Sequence, residues 1–223
     1  MRPAAFLLRA FVFMCLGAMA QAGAWPRKAG EGFATIAVRL GWPQDMGDWT
    51  SLEPTQDYST LYLEYGLTDR LTLGLDLGHS VSGGGKTVIF LQYPVRQADT
   101  GAQVSAQLGF GVISGERIIR PGLSAGWSLK RGWVSVDGVA ETYLDDGRTD
   151  LKLDMTWGRN LAHDRKLIVQ LQTGQPDGRD PFARLAPSIV LPLRGRFKLE
   201  AGATWGLTGD TSMGLKLGLW TDF

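Results

Sequence analysis

From residue 31 to the end of the chain, apolar and polar side chains alternate with a period of two. Leu71, Leu73, Leu75 and Leu77 alternate with Thr72, Gly74, Asp76 and Gly78. Leu151, Leu153, Met155 and Trp157 alternate with Lys152, Asp154, Thr156 and Gly158. Met213, Leu215, Leu217 and Leu219 alternate with Ser212, Gly214, Lys216 and Gly218. Successive strand residues point to opposite faces, so this spacing predicts strands with one apolar and one polar face. No stretch after Trp25 carries the 3.6-residue period of an amphipathic helix. About twelve such segments can be read: 31–41, 56–66, 70–80, 86–95, 100–113, 117–130, 132–144, 148–159, 165–174, 183–193, 196–207 and 211–223. Ten or fourteen strands also fit, because Pro121, Pro187 and Pro192 interrupt strand-like runs.

Two all-β architectures can use such faces. A soluble sandwich buries the apolar face and wets the polar one. A transmembrane barrel turns the apolar face to lipid and encloses the polar one. The polar face here is rich in small and amide side chains, as at Gln103, Ser105, Gln107, Gly109 and Gly111. Such groups suit a crowded lumen, and glycine eases strand curvature. The aromatics of the apolar face gather near segment ends. Tyr65, Trp127, Trp157, Phe197 and Phe223 fall toward one rim, and Phe110 and Trp205 toward the other, as two membrane-interface belts require. The expected fold is therefore a closed antiparallel transmembrane β-barrel, most simply of twelve strands, formed by one domain over residues 25–223.

The connectors alternate in length. The set containing 41–55 is on the whole longer than the set containing 67–69 and 130–131. Short turns on the periplasmic side and longer loops outside are the barrel pattern.

Residues 1–24 differ from the rest. Arg2 and Arg9 precede an apolar run from Ala10 to Ala20, followed by two small-x-small sites, Ala18-Met19-Ala20 and Ala22-Gly23-Ala24. This predicts a secretory signal peptide cleaved after residue 20 or 24. The one cysteine, Cys15, leaves with it. Without Arg2 and Arg9 the net charge of +1 becomes −1, from 21 basic and 22 acidic residues. That balance gives no support to a nucleic-acid partner.

The last eleven residues, MGLKLGLWTDF, end on Phe223 with Leu219, Leu217, Leu215 and Met213 behind it at every second position. They resemble the C-terminal insertion signal of bacterial outer-membrane β-barrel proteins, with Thr221 departing from the apolar pattern. Leu67-Thr68-Asp69-Arg70 is similar to a periplasmic turn common in that class. The opening Trp25-Pro26-Arg27-Lys28-Ala29-Gly30-Glu31-Gly32-Phe33 resembles that of small proteobacterial outer-membrane proteins. The resemblance implies export, a place in outer-membrane lipid, handling by periplasmic chaperones and insertion by the barrel-assembly machinery. It implies no single activity, because the class includes porins, lipid-modifying enzymes, proteases, adhesins and structural barrels.

Candidate chemistry is sparse. Ten charged residues have the parity of the inner face: Arg39, Glu64, Asp76, Asp137, Glu141, Lys152, Asp154, Lys198, Glu200 and Lys216. Both signs are represented, so pairing across neighbouring strands is expected. His79-Ser80, with Asp76 three residues before the histidine, suggests a rim hydrolase. Neighbouring strand residues diverge, however, which is poor triad geometry. Two histidines, His79 and His163, offer no metal cluster. Gly83-Gly84-Gly85-Lys86-Thr87 lacks the spacing and helix of a phosphate loop and reads as a turn. No cofactor is expected. Three functions remain open: a narrow channel for small solutes, a lipid-directed hydrolase at the outer rim, and a structural or adhesion barrel with a closed polar core. The sequence leaves the oligomeric state undetermined.

Overall fold

A computed structural model of the chain describes residues 23–81, 84–98 and 100–223. The proposed signal segment up to residue 22, and Gly83 of the glycine-rich turn, lie outside the described residues. The strands are β1 (Gly32–Pro43), β2 (Gln56–Gly66), β3 (Thr72–His79), β4 (Gly85–Arg96), β5 (Ala102–Ile113) and β6 (Glu116–Leu129). They continue with β7 (Gly132–Tyr143), β8 (Thr149–Asn160), β9 (Lys166–Gln175), β10 (Phe182–Pro192), β11 (Phe197–Thr208) and β12 (Ser212–Asp222). Each strand pairs antiparallel with its chain neighbours, and β1 pairs with β12 to close a twelve-strand barrel. Closure leaves no sheet edge, which any strand structure must achieve to cross a bilayer. The seam runs from Phe33 opposite Asp222 to Pro43 opposite Ser212. It is finished by two backbone hydrogen bonds between Gly32 and Phe223.

The outward parity is apolar around the wall. Ile36, Ile89, Leu123 and Leu217 are each more than half exposed. Continuous apolar surface of this kind would associate in water and is at ease in hydrocarbon. All seven aromatics placed in the two belts lie on this exposed outer face. Tyr93 joins them, with the Arg70 guanidinium 4.8 Å from its ring centre.

Pro192 is the last residue of β10, but Pro121 and Pro187 do not end strands. Pro121 pairs with Leu108 of β5, while the ladder to β7 runs from Ile119–Thr142 to Gly122–Val139 without it. Pro187 pairs with Val169 of β9 but is skipped in the ladder to β11. A proline has no N–H to donate, so the interruption is confined to one side of the strand.

The inner wall departs from a purely polar lining. Val88, Ile118 and Tyr143 form a buried apolar cluster in the half of the barrel farther from the termini. Trp133, Ile168 and Val190 form another at the base, the end that carries the termini, with Trp25 and Trp220 packed against it. Interior glycines make room for large rings. A Cβ on Gly74 would fall 2.0 Å from the Phe90 ring, and one on Gly158 would fall 2.2 Å from Trp133.

Candidate functional site: the barrel lumen

Period-two parity carries all ten predicted charges to the inner wall, where cross-strand distances set their partners. Asp76 of β3 takes the Lys86 ammonium at 2.7 Å and the Arg120 guanidinium at 2.6 Å. Glu141 of β7 accepts from Lys152 Nζ at 2.6 Å and lies 3.9 Å from Arg120. A charge ladder thus runs from β4 across β3 and β6 to β8. On the opposite wall Lys216 pairs with Glu200 at 2.8 Å, and Trp220 Nε1 donates to the same carboxylate at 2.9 Å. Lys198 stands 3.4 Å from both Asp222 and Asp164. Asp137 accepts from Ser135 Oγ, while its Oδ1 is buried without a partner among the described residues. Arg39 and Asp154 form no salt bridge or hydrogen bond among the described residues. Pairing at low effective dielectric offsets the cost of enclosing these charges, which rises steeply for any left alone.

The amino-terminal segment enters the barrel from its base. The Gly23 carbonyl accepts from Gln92 Nε2 and Ser105 Oγ. Ala24 is buried, and a Cβ on Gly126 would fall 2.4 Å from the Trp25 ring. Arg27 Nε donates to Glu64 Oε2 at 2.7 Å, and the Tyr62 hydroxyl donates to Oε1 at 2.6 Å. The Arg27 amide is held by Thr72 Oγ1 at 3.0 Å, and its guanidinium lies 4.8 Å from the Phe33 ring centre. Residues 23–27 therefore fill part of the basal lumen as a strap.

Described residues enclose two cavities inside the barrel. One of about 610 Å³ opens toward the loop end and is lined by Arg39, Tyr58, Lys86, Lys152, Asp154 and Arg184, among others. The second, about 180 Å³, lies deeper, against Phe33, Trp133, Ile168, Glu200, Lys216 and Trp220. Arg39 and Gln172 line both, so these two side chains stand between the cavities.

The rim candidates are not brought together. Asp76 is inside, engaged by Lys86 and Arg120. His79 is exposed on the other face of β3, and Ser80 Oγ donates to Asp57 at 3.3 Å. Among the described residues, no three histidine, cysteine or acidic side chains converge as a metal site. Trp42 near the end of β1 and Trp49 in the long loop after it stack with ring centres 6.4 Å apart; each donates its indole N–H to a backbone carbonyl, of Leu52 and Pro43 respectively.

Parity alone would also have found Lys86, Arg120 and Arg184, all basic residues at inward positions. It could not have found Arg27, which lies outside any strand and acts through the strap. Nor could it show that Phe90, Trp133 and Trp220, on the polar parity, pack within the lumen.

No family model and no curated protein matches the chain. Solved structures do. The KdgM porin superposes with a TM-score of 0.65 at 9% identity, over 85% of this chain and 99% of that one. The COG4313 outer membrane channel from Pseudomonas putida F1 gives 0.56 at 13% identity, over 91% and 99%. Outer membrane phospholipase A from Escherichia coli gives 0.51 at 10% identity, over 88% and 97%. One fold here carries both channels and a hydrolase, so activity has to be argued from the site. A closed twelve-strand barrel with an apolar exterior and a charged interior, superposing on these structures, gives the chain the fold of bacterial outer-membrane β-barrels.

Proposed function

We propose that the protein is a narrow channel for small solutes, with the loop end outside and the base in the periplasm. The observation that carries this reading is the pair of lumenal cavities that share Arg39 and Gln172 in their linings, beside a strap that occupies only part of the base. The ten inner-wall charges then serve as lining. Most are neutralised by neighbours, which leaves a pathway of mixed sign rather than a strong filter. One fold neighbour, the KdgM porin, has a structure in complex with disordered oligogalacturonate, an acidic sugar chain. The paired lysines and arginines of this lumen give no comparable reason to favour a polyanion. The test is purified protein in planar bilayers: stepwise conductance supports transport. Folded protein that never opens a conductance would instead favour a structural or adhesion barrel. The separation of Asp76, His79 and Ser80 weighs against the hydrolase.

The aromatic belts would sit at the two lipid interfaces. Phe223, paired with Gly32 at the seam, would be read by the assembly machinery after delivery by periplasmic chaperones. For the signal peptide, cleavage after Ala20 is favoured over cleavage after Ala24, because Gly23 and Ala24 are built into the inner wall. Intact-mass measurement of the mature protein decides between these sites.

A further inference from the structure

Four cations line the larger cavity, and three of them are neutralised. Lys86 is held by Asp76, Lys152 by Glu141, and Arg184 by Asp210 at 2.5 Å. Of its two acids, Asp57 accepts from Ser80 Oγ and the Val81 amide. Arg39 and Asp154 are left, without a salt bridge or hydrogen bond among the described residues, and Arg39 Nε is buried and unpartnered. Arg39 is on β1 and Asp154 on β8, five strands away around a twelve-strand ring, so they stand on nearly opposite walls of one cavity.

We infer that this cavity is a binding site for a small zwitterionic solute of the amino-acid class, its carboxylate on Arg39 and its ammonium on Asp154. A simple anion would satisfy Arg39 and be repelled by Asp154, and a simple cation would meet the reverse. A neutral solute would leave both charges to water. Only a molecule carrying both signs pairs both walls, and specificity follows from that difference. A volume of about 610 Å³ is ample for such a solute with some water. The guanidinium fork suits a carboxylate, and its place in the lining of both cavities puts the contact on the proposed pathway.

The inference rests on the channel reading, and the two can fail separately. Proteoliposomes would be loaded with labelled alanine, lactate or lactamide, three solutes of similar size that are zwitterionic, anionic and neutral, and efflux corrected with protein-free vesicles. Alanine should leave at least about fivefold faster than lactamide, a figure discounted from the roughly tenfold effect of a charge-assisted hydrogen bond because the cavity has room for screening water. Arg39→Gln and Asp154→Asn should each bring that ratio near one. The charge swap Arg39→Asp with Asp154→Arg should restore it, which guards against variants that merely fold poorly. Equal efflux of alanine and lactamide from the native protein overturns the zwitterion site and leaves the channel standing. So does a preference for lactate that only Arg39→Gln removes. No efflux of any solute, with no bilayer conductance, removes both.

Discussion

Gly158 is small because Trp133 lies across it. A valine there would push into the indole and its neighbours Ile168 and Val190, with few ways to relax in a closed barrel. Gly158→Val should destabilise the protein by about 1–3 kcal/mol, as overpacking does. Urea unfolding in lipid vesicles measures this. Asp210, in the loop between β11 and β12, shows how one carboxylate organises the rim. Partial burial raises its pKa, but hydrogen bonds from the Ser212 hydroxyl and amide and from Arg184 outweigh that, and the net shift is downward. A carboxyl with a lowered folded pKa contributes stability that is complete above its unfolded pKa and is lost as pH falls through the folded one. Asp210→Asn should therefore cost about 1 kcal/mol at neutral pH, since the site is partly solvated. Unfolding midpoints of variant and native protein should converge below about pH 4, the ordinary aspartate value.

The strap is the element whose role can be isolated. It has no strand partner of its own, and it is fixed by Arg27–Glu64, Thr72, Gln92 and Ser105. With the signal sequence kept in place, deletion of residues 23–27 should leave a closed barrel, because every strand ladder lies outside the segment. Its single-channel conductance should exceed that of the full chain. Unchanged conductance would mean that the strap lies beside the ion path. Arg27→Ala should lower stability by about 1–3 kcal/mol by leaving Glu64 enclosed without its cation. The Arg27 and Glu64 side chains are only 8% and 3% exposed. The double change Arg27→Ala with Glu64→Gln should recover part of that loss, measured by the same urea titration. The strands themselves are less sensitive to single changes. Pro121 and Pro187 show that a ladder can lose contact on one side and continue on the other.

The whole barrel depends on the seam, where the ends of a chain almost 200 residues apart must find each other. Phe223 and Gly32 exchange hydrogen bonds there. Removal of Phe223 should reduce the yield of assembled barrel in the membrane fraction, read by heat-modifiable mobility on gels. Protein refolded in detergent, with no assembly machinery to recognise a signal, should be affected much less. Strand positions, strand parity and the inward placement of the charged residues were legible in the chain, because a side-chain period of two is a local property of extended backbone. The placing of small residues such as Gly109 and Gly111 on the polar parity and of the belt aromatics on the apolar one was legible for the same reason. Which charge meets which was not. Lys152 with Glu141 follows from the shear between β7 and β8, and Asp76 with Arg120 joins strands that are not neighbours. The entry of Trp25 and Arg27 into the lumen carried no periodic signal, because the segment makes no ladder. Local alternation thus determined a membrane barrel and its two faces. Closure of the ring decided which polar groups are satisfied, and so left Arg39 and Asp154 facing one cavity with no salt bridge or hydrogen bond among the described residues.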